Sequence, residues 1–367
     1  MRIFARRSPR VHRSCNIGRM PSSQAAAPAR SLAAKSAHEA IAAAYTVGFY
    51  LVPEFPMMAF AAAIEPLRAA NRLSEQSLVA WQLFSRNGKP VRASNGIDIA
   101  VQGAMGGDVA VDLLLICAGT AGPGVNDRVL ARWLRAQQRR GVALGGISLG
   151  AYALARAGLL NGRPCALHWE NLASFNEEFP RIRTTTDIFV VDGDRCTCSG
   201  GTAALDMMLH VIAGRHGRAL ANDVSEQFIH PRIRGAHDQQ RMAIQSRLGV
   251  ANDKLIAAVG MMENAQDEPH EMRAIAAAVE LSPRQLERLF VKYLQTNPRR
   301  YYRDLRLARA RMLLLQTTKP ILDIAVACGF ATASHFSRSY REAFGHVPTR
   351  ERAEAAVERK PVRRRSR

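Results

Sequence analysis

At about residue 251 the character of the chain changes: alternating strand and helix signals give way to helix, turn and helix, with no strand signal at all. A chain with such a break folds as two units, an α/β domain followed by an all-α one, because the two patterns bury their apolar faces in different ways. Upstream, "TVGFYLV" (46–52), "AWQLFS" (80–85), "DLLLICAG" (112–119) and "GVALGGI" (141–147) read as strands. The last two are near-continuous apolar runs, as expected of strands covered on both faces. Helices are expected over 57–73, despite Pro66 inside it, and over 126–140 with Asn126 as N-cap. "IFVVDGD" (188–194) and "RCTCSG" (195–200) read as a hairpin turning at Asp192-Gly193, followed by a helix over 201–217 that Gly217 stops. Strands alternating with helices predict a mostly parallel sheet, with ligands beyond the carboxyl ends of its strands.

The all-α part carries an internal repeat. "IAAAVELSPRQLERLFVKYL" (275–294) aligns with "IAVACGFATASHFSRSYREAF" (324–344), at an offset of 49 before the turn and 50 after it, the extra residue falling around Gly329. Ser282 matches Thr332 as an N-cap, and Leu286, Arg288 and Phe290 match Phe336, Arg338 and Tyr340. Each copy has the layout of a helix-turn-helix, whose second helix enters the DNA major groove. Arg284, Gln285 and Arg288 in the first copy, and Ser334, His335 and Arg338 in the second, project away from the apolar positions and are the candidate base readers. Arginine grips guanine bidentately and glutamine does so for adenine. The helix between them, 298–316, holds arginines 299, 300, 303, 306, 309 and 311, suited to phosphates or to the partner motif.

Charge follows the same division. The formal net charge is +20, yet residues 41–250 hold 21 basic against 17 acidic side chains, whereas 271–350 hold 14 against 6. A basic folded unit beside a nearly neutral one points to a polyanionic partner for the former. The six cysteines lack C-x-x-C spacing, and Cys196 and Cys198 fall on one face of a strand, so reduced cytoplasmic thiols are expected and no metal. No run of 18 uncharged apolar residues is present, so no membrane partner is expected. Residues 1–43 are rich in Arg, Ser and Ala. They have the composition of a transit peptide but read more simply as a disordered basic extension or an upstream start.

Residues 252–350 resemble the AraC/XylS family of transcriptional regulators, on "LSPRQLERLFVKYLQTNPRRYYRDLRLARARMLL" and "ILDIAVACGFATASHFSRSYREAFGHVPTRER". Residues 44–218 are similar to the PfpI-like, class I glutamine-amidotransferase-like domain of the GlxA-type subgroup. That likeness rests on "FAAAIEPLRAANRLS", "FSRNGKPVRASNGIDI", "GAYALARAGLLNGRPCALHWENLASFNEEFP" and "GGTAALDMMLHVI". The resemblance implies a flavodoxin-like parallel sheet sandwich over 44–218, a linker over 219–251, an all-α domain with two helix-turn-helix motifs over 252–350, and a basic tail over 351–367. It further implies a regulator, most often an activator, that binds double-stranded promoter DNA and a small-molecule effector. Within the subgroup the pattern looks closest to regulators responsive to betaine-like, carnitine-like or arginine-like compounds. A homodimer formed through the N-terminal domain is also expected, and no cofactor.

"GGISLGAY" (145–152) contains G-x-S-x-G, the pattern of a nucleophile elbow. Enzymes with the PfpI-like fold place a cysteine there, and this chain has Ser148. A serine needs a general base. His168 could be offered, with Glu170 or Asp206 to orient it, and Glu54 as the carboxylate after the first strand. The contrasting reading is therefore a PfpI-like hydrolase or amidase using Ser148, with a nucleic-acid-binding appendage. Catalysis requires three positioned groups where the sequence offers one, so no catalytic residue is expected. The elbow serves a sensor as well, because its free backbone N–H groups suit an effector carboxylate beside Ser148. Trp169 or Phe55 would then face a cationic end, and His168 is a further ligand contact, each weighed against simple packing.

Overall fold

In the first strand, β1 (Tyr45–Leu51), alternate side chains serve opposite layers. Val47, Phe49 and Leu51 join one hydrophobic cluster, while Tyr50, with Val52 just beyond, joins another. β6 (Leu113–Ala118) repeats the division, with Leu113, Leu115 and Cys117 on one side and Leu114, Ile116 and Ala118 on the other. Apolar residues on both faces require cover on both faces, and the computed structural model, which describes residues 44–106, 109–119 and 127–358, shows that cover.

In chain order the α/β part runs β1, α1 (Met57–Ser74), β2 (Val79–Ser85), β3 (Val91–Arg92), β4 (Asp98–Ile99), β5 (Gly103–Ala104), β6, α2 (Arg128–Arg139), β7 (Ala143–Ser148) and α3 (Gly150–Arg156). It continues through β8 (Pro164–Ala166), a 3-10 turn (Trp169–Asn171), α4 (Leu172–Glu178), β9 (Arg183–Thr185), β10 (Phe189–Asp192), β11 (Arg195–Cys198) and α5 (Ala203–His216). Seven strands form the main sheet in the order β10-β11-β7-β6-β1-β2-β5, parallel throughout except for the β10–β11 hairpin. Helices α1 and α5 cover one face, and α2 and α3 the other. This is a flavodoxin-like three-layer sandwich. The N-cap of α2 is Asp127, whose carboxylate accepts from the N–H groups of Val129 and Leu130; Asn126 lies outside the described residues.

The stretch expected as a linker opens as a helix, α6 (Arg218–Gln227), which packs Ala221 and Val224 against α1 and α5. Beyond it the chain crosses back over the sheet domain. Asp206 of α5 is fully buried and anchors that crossing: it takes two hydrogen bonds from the Arg234 guanidinium (2.7 and 3.0 Å), one from the Arg234 backbone (2.7 Å), and a contact with His230 Nε2 (3.0 Å). A buried carboxylate is tolerable only when satisfied in this way.

The helical part comprises α7 (Ile244–Leu248), α8 (Asp253–Asn264), α9 (Met272–Ala278), α10 (Pro283–Leu294), α11 (Pro298–Gln316), α12 (Ile321–Ala327), α13 (Ala333–Phe344) and α14 (Pro348–Glu358). Its two helix-turn-helix units have separate cores. Ile275, Leu286, Phe290 and Tyr302 lie in one, and Leu307, Leu314, Ile324, Phe336 and Tyr340 in the other. The N-terminal half of α11 packs on the first and its C-terminal half on the second. Glu280 (φ 55°) and Gly329 (φ 71°) hold the same left-handed place in the two turns at an offset of 49. The extra residue therefore falls after Gly329, between it and the cap Thr332. The extension expected over 1–43 lies outside the described residues; the tail expected over 351–367 instead begins inside α14, with Glu351 buried, and only its part beyond 358 lies outside them.

Candidate nucleic-acid interface and sensor site

Caps set the start of each reading helix. Ser282 accepts from the backbone N–H of Gln285 (3.2 Å), and Thr332 accepts from that of His335 (3.2 Å). Leu286 and Phe290, and likewise Phe336 and Tyr340, are fully buried, so the opposite face of each helix turns outward. Arg284, Arg288, Ser334, His335 and Arg338 are all exposed there. Among the described residues, none of the three arginines has a salt-bridge partner. Gln285 is exposed too, but its Oε1 accepts from the Ser282 backbone N–H (2.8 Å), closing a capping box. The amide that would read adenine is thereby engaged in holding the helix start.

The arginines of α11 divide by position. Arg306 donates to the Gly329 carbonyl (2.8 Å) and stacks on Phe330, its guanidinium 4.7 Å from the ring centre. Arg311 pairs with Glu351 (3.1 Å), and Arg303 contacts Asp304 and Glu342 (3.2 and 3.5 Å). These fix the second motif. Arg299 and Arg300 are exposed at the start of the helix, with Arg300 3.8 Å from the Asp304 carboxylate.

In the α/β domain Ser148 ends β7 with φ 56°, the strained left-handed geometry of an elbow. Two glycines make room for it. A Cβ on Gly150 would lie 1.9 Å from the Ile116 carbonyl oxygen, and one on Gly200 would lie 2.8 Å from the Ser148 Cβ. Behind the turn sits Cys198, whose sulfur meets the backbone of Gly200 and Ser148. Burial pushes this thiol up to about 11 despite those contacts, so it is protonated at neutral pH and is no nucleophile.

The groups offered for catalysis are placed elsewhere. His168 Nδ1 accepts from the backbone N–H of Glu170 (3.4 Å) and so caps the 3-10 turn. Burial holds this imidazole below its usual range, with the Glu170 carboxylate partly offsetting the effect. Asp206 is committed to Arg234 and His230 and does not orient His168. Glu54, at φ 63°, is exposed. Phe55 corrects an expectation: it is 0% exposed, edge-on to Phe60 (5.5 Å) in the core, because the chain leaving β1 turns its ring inward. Trp169 is 38% exposed, and the Arg241 guanidinium lies over its ring at 4.5 Å. Its backbone N–H donates to Gln240 Oε1 (2.8 Å). Sequence reasoning missed Arg234, Gln240 and Arg241. They act across 28 to 73 positions, and no local pattern marks such partners.

A flavodoxin-like sandwich joined to two basic helix-turn-helix units, each with exposed arginines on its outward face, has the build of a DNA-binding regulator. Comparison agrees at both ends: residues 54–214 match the DJ-1/PfpI family, and residues 275–354 match a helix-turn-helix domain family. The chain belongs to the AraC-type, GlxA-like family of HTH-type transcriptional regulators. It is 45% identical over 307 residues to the HTH-type transcriptional regulator GbdR of Pseudomonas aeruginosa, covering 84% of each chain. It is 44% identical over 305 residues to CdhR of the same species, covering 83% of this chain and 90% of that one. To GlxA of Rhizobium meliloti it is 36% identical over 303 residues, covering 82% and 94%. The chain is accordingly a transcriptional regulator and not an enzyme, and DNA is its partner.

Proposed function

We propose that the α/β domain senses a small zwitterionic metabolite, a betaine-like quaternary amine or an amino acid, and that the cytoplasmic protein answers it by activating promoters, as a homodimer through that domain. The observation that carries this reading is the pair Trp169 and Arg241. The indole already holds a cation over its face at 4.5 Å. A quaternary ammonium group competes for that same face, since the attraction comes from the ring quadrupole and strengthens as water is excluded. The carboxylate of the ligand is assigned to the elbow beside Ser148, with the Ser148 hydroxyl as its donor, since the Leu149 N–H already donates to the Ala118 carbonyl (3.0 Å) and the Ser148 backbone meets the Cys198 sulfur. His168 borders the same turn as Trp169 and shapes the site. On the DNA-binding side, Arg284, Arg288, Ser334, His335 and Arg338 read bases, while Gln285 holds its helix start.

Ligand binding to the folded protein alone raises its stability by about 2.7 kcal/mol at a hundredfold excess over Kd. Glycine betaine, carnitine and L-arginine, added in turn to the full-length protein, should give one clear upward shift in Tm. Trp169→Ala should abolish it. A shift that survives Trp169→Ala would remove the site, and no shift with any of the three would remove the effector class. Ser148→Ala should leave DNA binding intact; a substrate turned over by the wild type and lost in this variant would instead establish the hydrolase reading.

A further inference from the structure

The two helix-turn-helix units are not equivalent with respect to the sensor. Ala173 of α4, a residue of the α/β domain, packs against the core of the second unit, as Ile321, Ala327 and Phe344 do from within that unit. Next to it, Ser174 is buried and its Oγ lies 2.6 Å from Gln316 Oε1, at the end of α11. One turn further, Glu177 forms an ion pair with Lys319, in the approach to α12. The first unit is reached differently, through Arg241 of the crossing segment and Glu263 of α8 (3.3 Å).

Ser174 also connects back to the elbow. Helix α3 begins two residues after Ser148, and its Tyr152 places its hydroxyl 3.0 Å from Ser174 Oγ. A serine hydroxyl has a single proton. With Tyr152 donating to it, Ser174 can give that proton either to Gln316 or to the Asn171 carbonyl of its own turn, 3.0 Å away. Two acceptors for one proton make a discrete choice, and the two outcomes tie α4 either to the DNA-binding domain or to itself.

We propose that the sensor acts directly on the second helix-turn-helix through this latch, with Ser174 as its switch and the Glu177–Lys319 pair as its clasp. The proposal rests on the reading of the α/β domain as the sensor, but its test needs no effector. Coupling between domains is typically worth 5- to 150-fold in affinity, and it is carried by an element with two arrangements.

The experiment uses the full-length protein on a promoter fragment from its own genomic neighbourhood. Glu177→Lys and Lys319→Glu should each change affinity by at least about fivefold, and combining them should restore the wild-type value. The altered protection should fall in the half of the footprint that Arg338→Ala also alters, and spare the half governed by Arg288. Ser174→Ala, which removes one oxygen from a helix and leaves the buried Tyr152 hydroxyl without that partner, should shift the same half with a lowered Tm but a folded protein, and provides the test if the charge variants fold poorly. Wild-type affinity and footprint in all of these variants, a failure of the double swap to restore, or equal change in both halves would overturn the proposal. A null ligand screen would leave it standing, so the two readings fail separately.

Discussion

Ser148 holds a backbone conformation that costs a non-glycine residue about 1–3 kcal/mol, and its neighbours are small to permit it. Gly150→Ala should therefore lower stability by at least about 2 kcal/mol in urea unfolding, because its new methyl meets a backbone oxygen that cannot retreat. A loss under about 0.5 kcal/mol would show that the elbow is looser than described. Asp206→Ala should cost about 2 kcal/mol, less than for a wholly buried pair because Arg234 keeps some access to water. Protonation adds a sign. His168 is held below its usual range in the folded protein, so the unfolded chain takes up its proton first. This contribution is complete above the unfolded value near 6.5 and fades as pH falls through the lowered folded one. Thermal unfolding between pH 7 and 5 should show part of the acid sensitivity vanish in His168→Gln. At this scale the sequence was legible for Arg284, Arg288 and Arg338, whose exposure follows from the spacing of their buried neighbours. It was not legible for Phe55, whose inward turn depends on a pairing with Phe60 in α1, or for Gln285, where capping competes with base reading.

Among the elements, the long strands and helices could be read from apolar runs because burial on both faces leaves an almost unbroken signal. The short strands β3, β4 and β5, of two residues each, could not, since two residues carry no period. Helix α6 was hidden in a stretch read as linker, although Leu220, Ala221, Val224 and Phe228 recur at helical spacing and all pack on the same cluster. Polar composition masked the period there. In the helical domain the repeat exposed both motifs, because each must build a core of its own. Phe336→Ala should accordingly cost about 3–5 kcal/mol and abolish reading by the second motif first. Calorimetry that showed one undiminished transition would contradict separate cores.

The whole molecule joins a nearly neutral sandwich to a basic reading head, and the junction between them is where sequence says least. Its contacts, Ser174 with Gln316 and Glu177 with Lys319, span 142 positions each. Only the folded chain brings them together. The central claim concerns the reading head: two copies of one motif, each recognising its own stretch of duplex. The direct measurement is a quantitative footprint of the full-length protein on its promoter, with Arg288→Ala and Arg338→Ala compared across single-base variants of the site. Each substitution should cost about 1–3 kcal/mol and relax discrimination in one half-site only, a different half for each. If both weakened binding evenly on every sequence, these arginines would be holding phosphates and the duplicated reading surface would be wrong.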